Sequence, residues 1–323
     1  MKIAAKSGDK LIIKQADNIS LNGREGAVVK ILGCGLCGSD IIKIDNPQVP
    51  DGSVFGHEIV GKILEINSKT DFNVGDIIVS SHHVPCGKCI YCKSGHAPMC
   101  KHFKATNFEP GGFSEKIFLS EEHLLNVAHK KPKDLSNIEA SFYEPLACCV
   151  RAIRRSEIKS GEKALVIGLG SIGLLMTQGL KVFGTKVLGC DVLDKRVEFC
   201  RNFGINAVKD VNEEKYFDVV FVTAGADKTV QLAVDKVRDG GKIIVFASTP
   251  NNAPFLNNNI YFRELTVMGS YSPDLEDLKK SLELLENGYV KVDEISTIYS
   301  LESINNAIKD TKSANILKAY IKM

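Results

Sequence analysis

Lys163-Ala164-Leu165-Val166-Ile167-Gly168-Leu169-Gly170-Ser171-Ile172-Gly173 is the stretch that decides the fold. Lys163 to Ile167 is a short apolar run bounded by turn residues and reads as a buried strand. Ile172 to Phe183 reads as a helix. Between them lies a G-x-G-x-x-G fingerprint, which signals dinucleotide binding only when it follows a strand and opens a helix; here it does both. Gly168 permits the tight turn, Gly170 lets a pyrophosphate approach the backbone, and Gly173 lets the helix pack close to the strand. The phosphates then face a helix N-terminus, where free N–H groups and the dipole favour anions.

Working outward, Lys186 to Cys190 is a second strand and Asp191 follows it. An acidic residue about 20 positions after the fingerprint accepts hydrogen bonds from the ribose hydroxyls and repels a 2′-phosphate, so Asp191 favours NAD. Arg196, five residues later, is placed to lean over the adenine and leaves some NADP use open. The competing reading is a glycine turn with an ordinary surface aspartate; strand, fingerprint, helix, strand and acid in this order argue against it. Lys195 to Phe203, Phe217 to Val222, Lys228 to Val237 and Lys242 to Phe246 continue the alternation of helix and strand. Alternation of this kind builds a parallel sheet from right-handed crossovers, a Rossmann doubly wound domain. Thr223-Ala224-Gly225 and Phe246-Ala247-Ser248 fall at strand C-terminal ends, where such sheets bind ligands.

The rest of the chain has a different rhythm. Up to about residue 145, Val- and Ile-rich runs (Ala27 to Leu32, Ile59 to Ile66, Asp76 to Val79) are punctuated by Gly, Pro, Asn and Asp, which reads as short strands joined by turns. No long amphipathic helix stands out there. Leu265 to Gly269 reads as a strand. A helix at Leu275 to Glu286, a strand at Ile295 to Tyr299, a helix at Ser303 to Lys309 and a strand at Ile316 to Ile321 complete the reading. There is no tandem repeat and no low-complexity linker.

With 323 residues the chain has room for two domains; domains run to about 100–200 residues each. Hydrophobic residues at 44% and charged residues at 25% suit a globular chain with a real core. The net charge is +2 with Lys and Arg spread along the chain, so no basic block points to nucleic acid or an anionic membrane. No apolar run approaches the length of a membrane span. Residues 1–9 lack the long apolar run of a secretory leader, and a cytoplasmic location is the default expectation. Ten cysteines are many for such a chain, and in a cytosolic enzyme of this size clustered cysteines more often bind metal than form disulfides.

Four of them, Cys86, Cys89, Cys92 and Cys100, are spaced C-x2-C-x2-C-x7-C. Four thiolates close a tetrahedral shell around Zn²⁺ and leave no open position, so this is a structural site that contributes folding energy. Iron–sulfur clusters also take four cysteines but at other spacings. A nucleic-acid-binding zinc ribbon would carry more than the flanking Lys88, Lys93 and Lys101.

Cys37 lies in Cys34-Gly35-Leu36-Cys37-Gly38-Ser39-Asp40, and His57 and Glu58 lie in Gly56-His57-Glu58. Cys-Gly-Ser-Asp, then Gly-His-Glu, then a four-cysteine lobe, then a dinucleotide fingerprint resembles the zinc-containing medium-chain dehydrogenases across nearly the whole chain. The resemblance implies a GroES-like, mostly-β catalytic domain over residues 1–147 and 286–323, and a Rossmann domain over 148–285. It makes Cys37 and His57 ligands of a catalytic zinc, with Glu58 on the metal or beside it. Glu144, in Phe142-Tyr143-Glu144-Pro145, resembles the third protein ligand of the polyol dehydrogenase branch. Three protein ligands plus an open position is the pattern of catalytic zinc. Ser39 matches the hydroxyl that hydrogen-bonds the substrate oxygen, and Asp40 is expected to orient a neighbour. Cofactor contacts are implied at Ile172, Asp191, Arg196, Phe246, Ala247, Ser248, Ser270, Tyr271 and Ser272.

Two departures stand out, a short loop between Cys37 and His57 and the residue at position 42. Ile42 occupies the position of the family's proton-relay histidine, so the proton leaves by another route, through Ser39 and the ribose or through Lys43. His83, three residues before Cys86, sits where threonine dehydrogenases carry a histidine, placed to touch substrate or to replace the missing relay group; an exposed loop histidine is the competing reading. The expectation is an oxidoreductase that uses NAD and two Zn²⁺ per chain, one catalytic and one structural. It moves a hydride between NAD and a secondary alcohol or polyol of the sorbitol kind. A threonine dehydrogenase-like enzyme and an aldehyde or ketone reductase are the alternatives on the same fold. A non-catalytic, zinc-stabilised nucleotide-binding protein is the alternative of another class. The expected partner is a small-molecule alcohol or ketone, with no nucleic acid and no membrane, in a homodimer or homotetramer.

Overall fold

The computed structural model of the protein describes residues 1–212, 215–248 and 257–323. The chain separates into two units. Unit 1 is Met1–Pro145, Asp274–Asn287 and Lys291–Met323, and unit 2 is Leu146–Pro273 and Gly288–Val290.

Unit 1 opens with an antiparallel hairpin of β1 (Lys2–Ser7) and β2 (Lys10–Gln15). Its turn is Gly8-Asp9, with Gly8 at φ 63°, a conformation glycine adopts without steric cost. The main sheet contains β3 (Gly26–Leu36), β4 (Glu58–Asn67), β5 (Ile77–Ser80), β6 (Lys116–Ser120), β7 (Ala128–Lys130), β14 (Ser296–Ser300) and β15 (Lys318–Lys322). Its order is β14-β15-β3-β4-β5-β7, with β6 also paired to β3. All pairs are antiparallel except β14 with β15. β3 lies at the centre and nine of its eleven residues are buried, so its sequence reads as a near-continuous apolar run rather than an alternating one. Val29, Ile31, Ile59, Ile63, Ile78 and Phe113 form the middle of this core.

Unit 2 is a six-stranded, all-parallel sheet of β8 (Lys163–Ile167), β9 (Lys186–Cys190), β10 (Ala207–Val208), β11 (Phe217–Val222), β12 (Val237–Val245) and β13 (Thr266–Gly269). Its order is β10-β9-β8-β11-β12-β13. The sheet grows outward in both directions from β8 and β11, so the order reverses between them and their carboxyl ends flank the crevice where such sheets take ligands. Leu165, Ile167, Val220, Val222 and Ile243 fill the core beside it.

Several features differ from the sequence reading. β12 begins at Val237, well before Lys242, because Val237 pairs with Phe217 across a register shift; the polar Arg238–Gly241 stretch hides this. The helix Leu275–Glu286, read as part of the dinucleotide domain, falls in unit 1. There it packs on the short helix Asn137–Ala140, and Ser281 donates a hydrogen bond to the Tyr143 carbonyl. A 14-residue helix, Tyr143–Ser156, carries the chain from unit 1 into unit 2. Among the described residues no helix is long and apolar enough to cross a membrane.

Candidate active site

Strand pairing brings the first cluster together. β3 and β4 are antiparallel with Gly35 opposite Glu58, so Cys37, just beyond β3, lies across from His57, just before β4. The ligand atoms of Cys37, His57 and Glu58 lie within 4.8 Å of one another. His57 is 6% exposed and Glu58 1%. Gly35 is required here, because a Cβ at that position would stand 1.9 Å from the Glu58 carboxylate.

Cys37 caps the helix Gly38–Asp45, and Asp40 in the first turn of that helix is fully buried. Asp40 Oδ2 accepts the Cys37 N–H at 3.1 Å, and Oδ1 accepts the Gly56 N–H at 3.3 Å and stands 3.3 Å from His57 Nδ1. The carboxylate therefore holds the imidazole by Nδ1 and leaves Nε2 as the nitrogen that could ligate a metal, the usual support of a ligating histidine. These contacts are compatible with the orienting role expected of Asp40. Burial disfavours a charge on His57, yet Asp40 and Cys37 outweigh it and raise its pKa well above the ordinary value. So many anionic donors packed together suit a cation.

The sequence reading missed Lys318. β15 runs beside β3, with Ala319 opposite Leu36, and Lys318 Nζ donates to Glu58 Oε1 at 2.6 Å. Lys318 is 5% exposed. Burial works against its charge, and the Glu58 carboxylate more than offsets this. Nothing in the sequence separates this lysine from a surface lysine at a strand edge. Glu144 is buried at the start of the helix Tyr143–Ser156 and lies outside the group of three. Ser39 is exposed in the first turn of the Cys37-capped helix, and Ile42 on the same helix is 61% exposed.

A row of histidines leads away from the cluster. The His57 and His82 rings lie 4.7 Å apart, and those of His82 and His83 3.8 Å apart. His82 is 8% exposed and its Nδ1 has no hydrogen-bond partner. His83 Nδ1 is 2.5 Å from the Thr106 carbonyl.

The four cysteines form the second cluster. Cys86, Cys89, Cys92 and Cys100 also have sulfur atoms within 4.8 Å of one another, and none is in a disulfide. Cys92 Sγ lies 3.6 Å from Cys89 Sγ and 4.0 Å from Cys86 Sγ. A tetrahedral shell with Zn–S bonds of about 2.3 Å has edges of about 3.8 Å, so the four thiols fit a zinc ion.

In unit 2, Gly170 caps the helix Ser171–Val182 with no side-chain hydrogen bond, which leaves its first N–H groups for an anion. A Cβ on Gly170 would meet no atom closer than 4.0 Å; it would occupy an empty cradle. Gly168, at φ 97°, and Gly173 are instead crowded, since a Cβ on Gly173 would lie 1.8 Å from the Gly168 oxygen. Thr223 Oγ1 donates to Gly168 O at 2.8 Å and pins this loop. Asp191 Oδ2 accepts the Leu169 N–H at 2.8 Å and an Arg196 N–H at 3.2 Å, and Oδ1 accepts the Leu193 N–H at 2.9 Å. Cradle, free helix end and adjacent carboxylate fit a dinucleotide. Ile172 lies in the first turn of the same helix. Phe246 and Ala247 both donate backbone N–H bonds to Val222 O, and Ser248 is exposed. Beyond β13, Ser270 and Ser272 are buried and Tyr271 is 64% exposed. All six follow the carboxyl ends of β12 and β13.

Residues 23–129 match a family model described as Alcohol dehydrogenase GroES-like domain, and residues 171–287 match one described as Zinc-binding dehydrogenase. The chain is 30% identical over 321 residues to a sorbitol dehydrogenase of Halalkalibacterium halodurans, covering 93% of this chain and 92% of that one. It is 28% identical over 327 residues to D-xylulose reductase A of Aspergillus oryzae, covering 93% and 90%. The crystal structure of a Sinorhizobium meliloti protein bound to NADP matches with a TM-score of 0.88 at 24% identity, covering 100% of this chain and 99% of that one, and speaks for the fold. With both domains accounted for and a relative matched nearly end to end, the chain belongs to the zinc-type medium-chain alcohol and polyol dehydrogenases.

Proposed function

We propose that this protein transfers a hydride between the carbinol carbon of a polyol or other secondary alcohol and NAD. The observation that carries the reading is the group of half-buried Cys37 with buried His57 and Glu58, next to an exposed Ser39 on the Cys37-capped helix. Bound zinc supplies Lewis acidity to the alcohol oxygen, and bound NAD supplies the hydride acceptor.

The chain's own residues do the rest. Cys37 and His57 hold the metal, and Asp40 fixes the His57 ring. Two buried carboxylates compete for the third position: Glu58, inside the group, and Glu144, outside it. Releasing Glu58 to the metal would strand the buried ammonium of Lys318, which is costly. Zinc content of Glu58→Ala and Glu144→Ala separates the two, the ligand being the one whose loss empties the site. Ser39 Oγ takes the alcohol proton and hands it outward, since Ile42 cannot. Gly168, Gly170, Gly173 and Ile172 seat the pyrophosphate, and Asp191, joined to Arg196, receives the adenine ribose. Phe246 to Ser248 and Ser270 to Ser272 line the nicotinamide side. Cys86, Cys89, Cys92 and Cys100 hold the structural zinc.

The relatives named sorbitol dehydrogenase and D-xylulose reductase favour a polyol. His83 favours a 3-hydroxy amino acid as the second reading. A panel of alcohols with the zinc-loaded protein and NAD, followed by NADH absorbance, tests both; no turnover of any secondary alcohol overturns the proposal. The reading extends to a cytoplasmic homodimer or homotetramer. β13 supports the assembly: it pairs only with β12 among the described residues, and Val267 on it is 46% exposed. An unprotected edge of this kind invites a second strand.

A further inference from the structure

Lys43 lies on the helix Gly38–Asp45, whose N-cap is Cys37, a member of the metal cluster. It is exposed beside Ile42 and makes no hydrogen bond or ion pair among the described residues. Asp45, the exposed acid of that helix, is already taken by Lys312 at 2.7 Å, and buried Asp40 is committed to His57. Lys43 is near enough to His82, His83 and Asp40 for its charge to act on each of them.

His83 supplies the second half of the argument. Phe103 packs against its ring, with centroids 4.7 Å apart, and the Thr106 carbonyl faces its Nδ1. A carbonyl only accepts, so Nδ1 carries the proton. Burial pushes the imidazole down to about 4, so the ring is neutral near pH 7 and Nε2 is a bare acceptor. Nε2 has no partner among the described residues. The helix and the histidine row thus offer a fixed acceptor for a hydroxyl proton at His83 and an ammonium with no partner among the described residues, next to the buried, unpartnered Nδ1 of His82.

We infer that Lys43 and His83 together select a polyhydroxy substrate that carries an anionic group, a carboxylate or a phosphate, over a neutral polyol. His83 Nε2 accepts from a substrate hydroxyl while Lys43 Nζ pairs with the anion. This rests on the polyol reading above and narrows it.

The test measures kcat and KM of the zinc-loaded protein with saturating NAD on sorbitol, gluconate and sorbitol 6-phosphate. A kcat/KM about tenfold or more higher for an anionic substrate is expected, the scale of one partly screened charge pair. The arm that rises tells carboxylate from phosphate. In Lys43→Gln that preference collapses, through KM rather than kcat, and Lys43→Arg restores it. Added salt weakens the preference in the wild type. A wild type that turns over sorbitol as well as either anion, or a preference that survives Lys43→Gln, overturns the inference while leaving the polyol reading intact. No turnover of any of the three overturns both.

Discussion

Asp40 carries three polar contacts from a position with no exposed surface. An asparagine there keeps the shape but offers one acceptor where the carboxylate offers two, and its amide would face an N–H. Asp40→Asn is expected to weaken catalytic zinc binding by about 10- to 100-fold, the range seen when such a partner of a ligating histidine is lost. Competition with a chromophoric chelator reads this directly, and unchanged affinity would rule out the orienting role. The pair of Lys318 and Glu58 makes a separate claim. Breaking a buried pair from one side costs about 3–5 kcal/mol, whereas removing both charges is close to neutral. In the metal-free protein Lys318→Met should therefore lower the urea unfolding free energy by about that much, and the double variant Lys318→Met with Glu58→Gln should recover most of it. Equal losses in the single and double variants would mean that the pair does not exist. Cys37 and His57 were legible from short motifs and Asp40 from its place in one of them. Lys318 was not, because its partner lies 260 positions away and only strand pairing brings the two together.

At the level of elements, the strand-loop-helix around Gly168 was legible nearly to the residue. Apolar runs bounded by glycine leave β8 and β9 no alternative, and the acid after β9 follows from the motif's geometry. The helix Tyr143–Ser156 was overlooked although its signals are present: Pro145 near its start, Glu144 in the first turn, Arg154 and Arg155 in the last. The run Cys148-Cys149-Val150 favours no helix by propensity, and packing of its buried face decides the matter. The β1–β2 hairpin was missed because its strands are short and the second is largely exposed. The loop after β9 is also expected to set cofactor choice. Asp191 pairs with Arg196, and with the ribose seated as proposed its carboxylate would face a 2′-phosphate. In Asp191→Asn the charge is gone and the guanidinium is free to grip that phosphate. The ratio of kcat/KM for NADP over NAD should rise by at least about tenfold, or 1.4 kcal/mol of discrimination. A ratio that does not move removes Asp191 from cofactor selection.

For the whole molecule, the division of labour follows the two units. Both metal clusters are built entirely from unit 1 residues, and the glycine cradle with Asp191 and Arg196 entirely from unit 2. The proposed cofactor seat and the proposed metal sites therefore rest on different cores and should be separable by mutation. Cys37→Ser and His57→Ala each remove one ligand of the open site but leave the Cys86, Cys89, Cys92 and Cys100 shell complete. Emission spectrometry should find two zinc per wild-type chain and one per variant chain. Hydride transfer should fall below detection, because the alcohol oxygen loses its activating metal. NAD should still bind with its wild-type Kd by calorimetry, since no group that meets the dinucleotide has changed. A non-catalytic nucleotide-binding protein predicts instead one zinc in the wild type and no difference between the proteins. Full activity in either variant sinks the assignment of the open site. Loss of NAD binding in both would mean that the two units do not act independently.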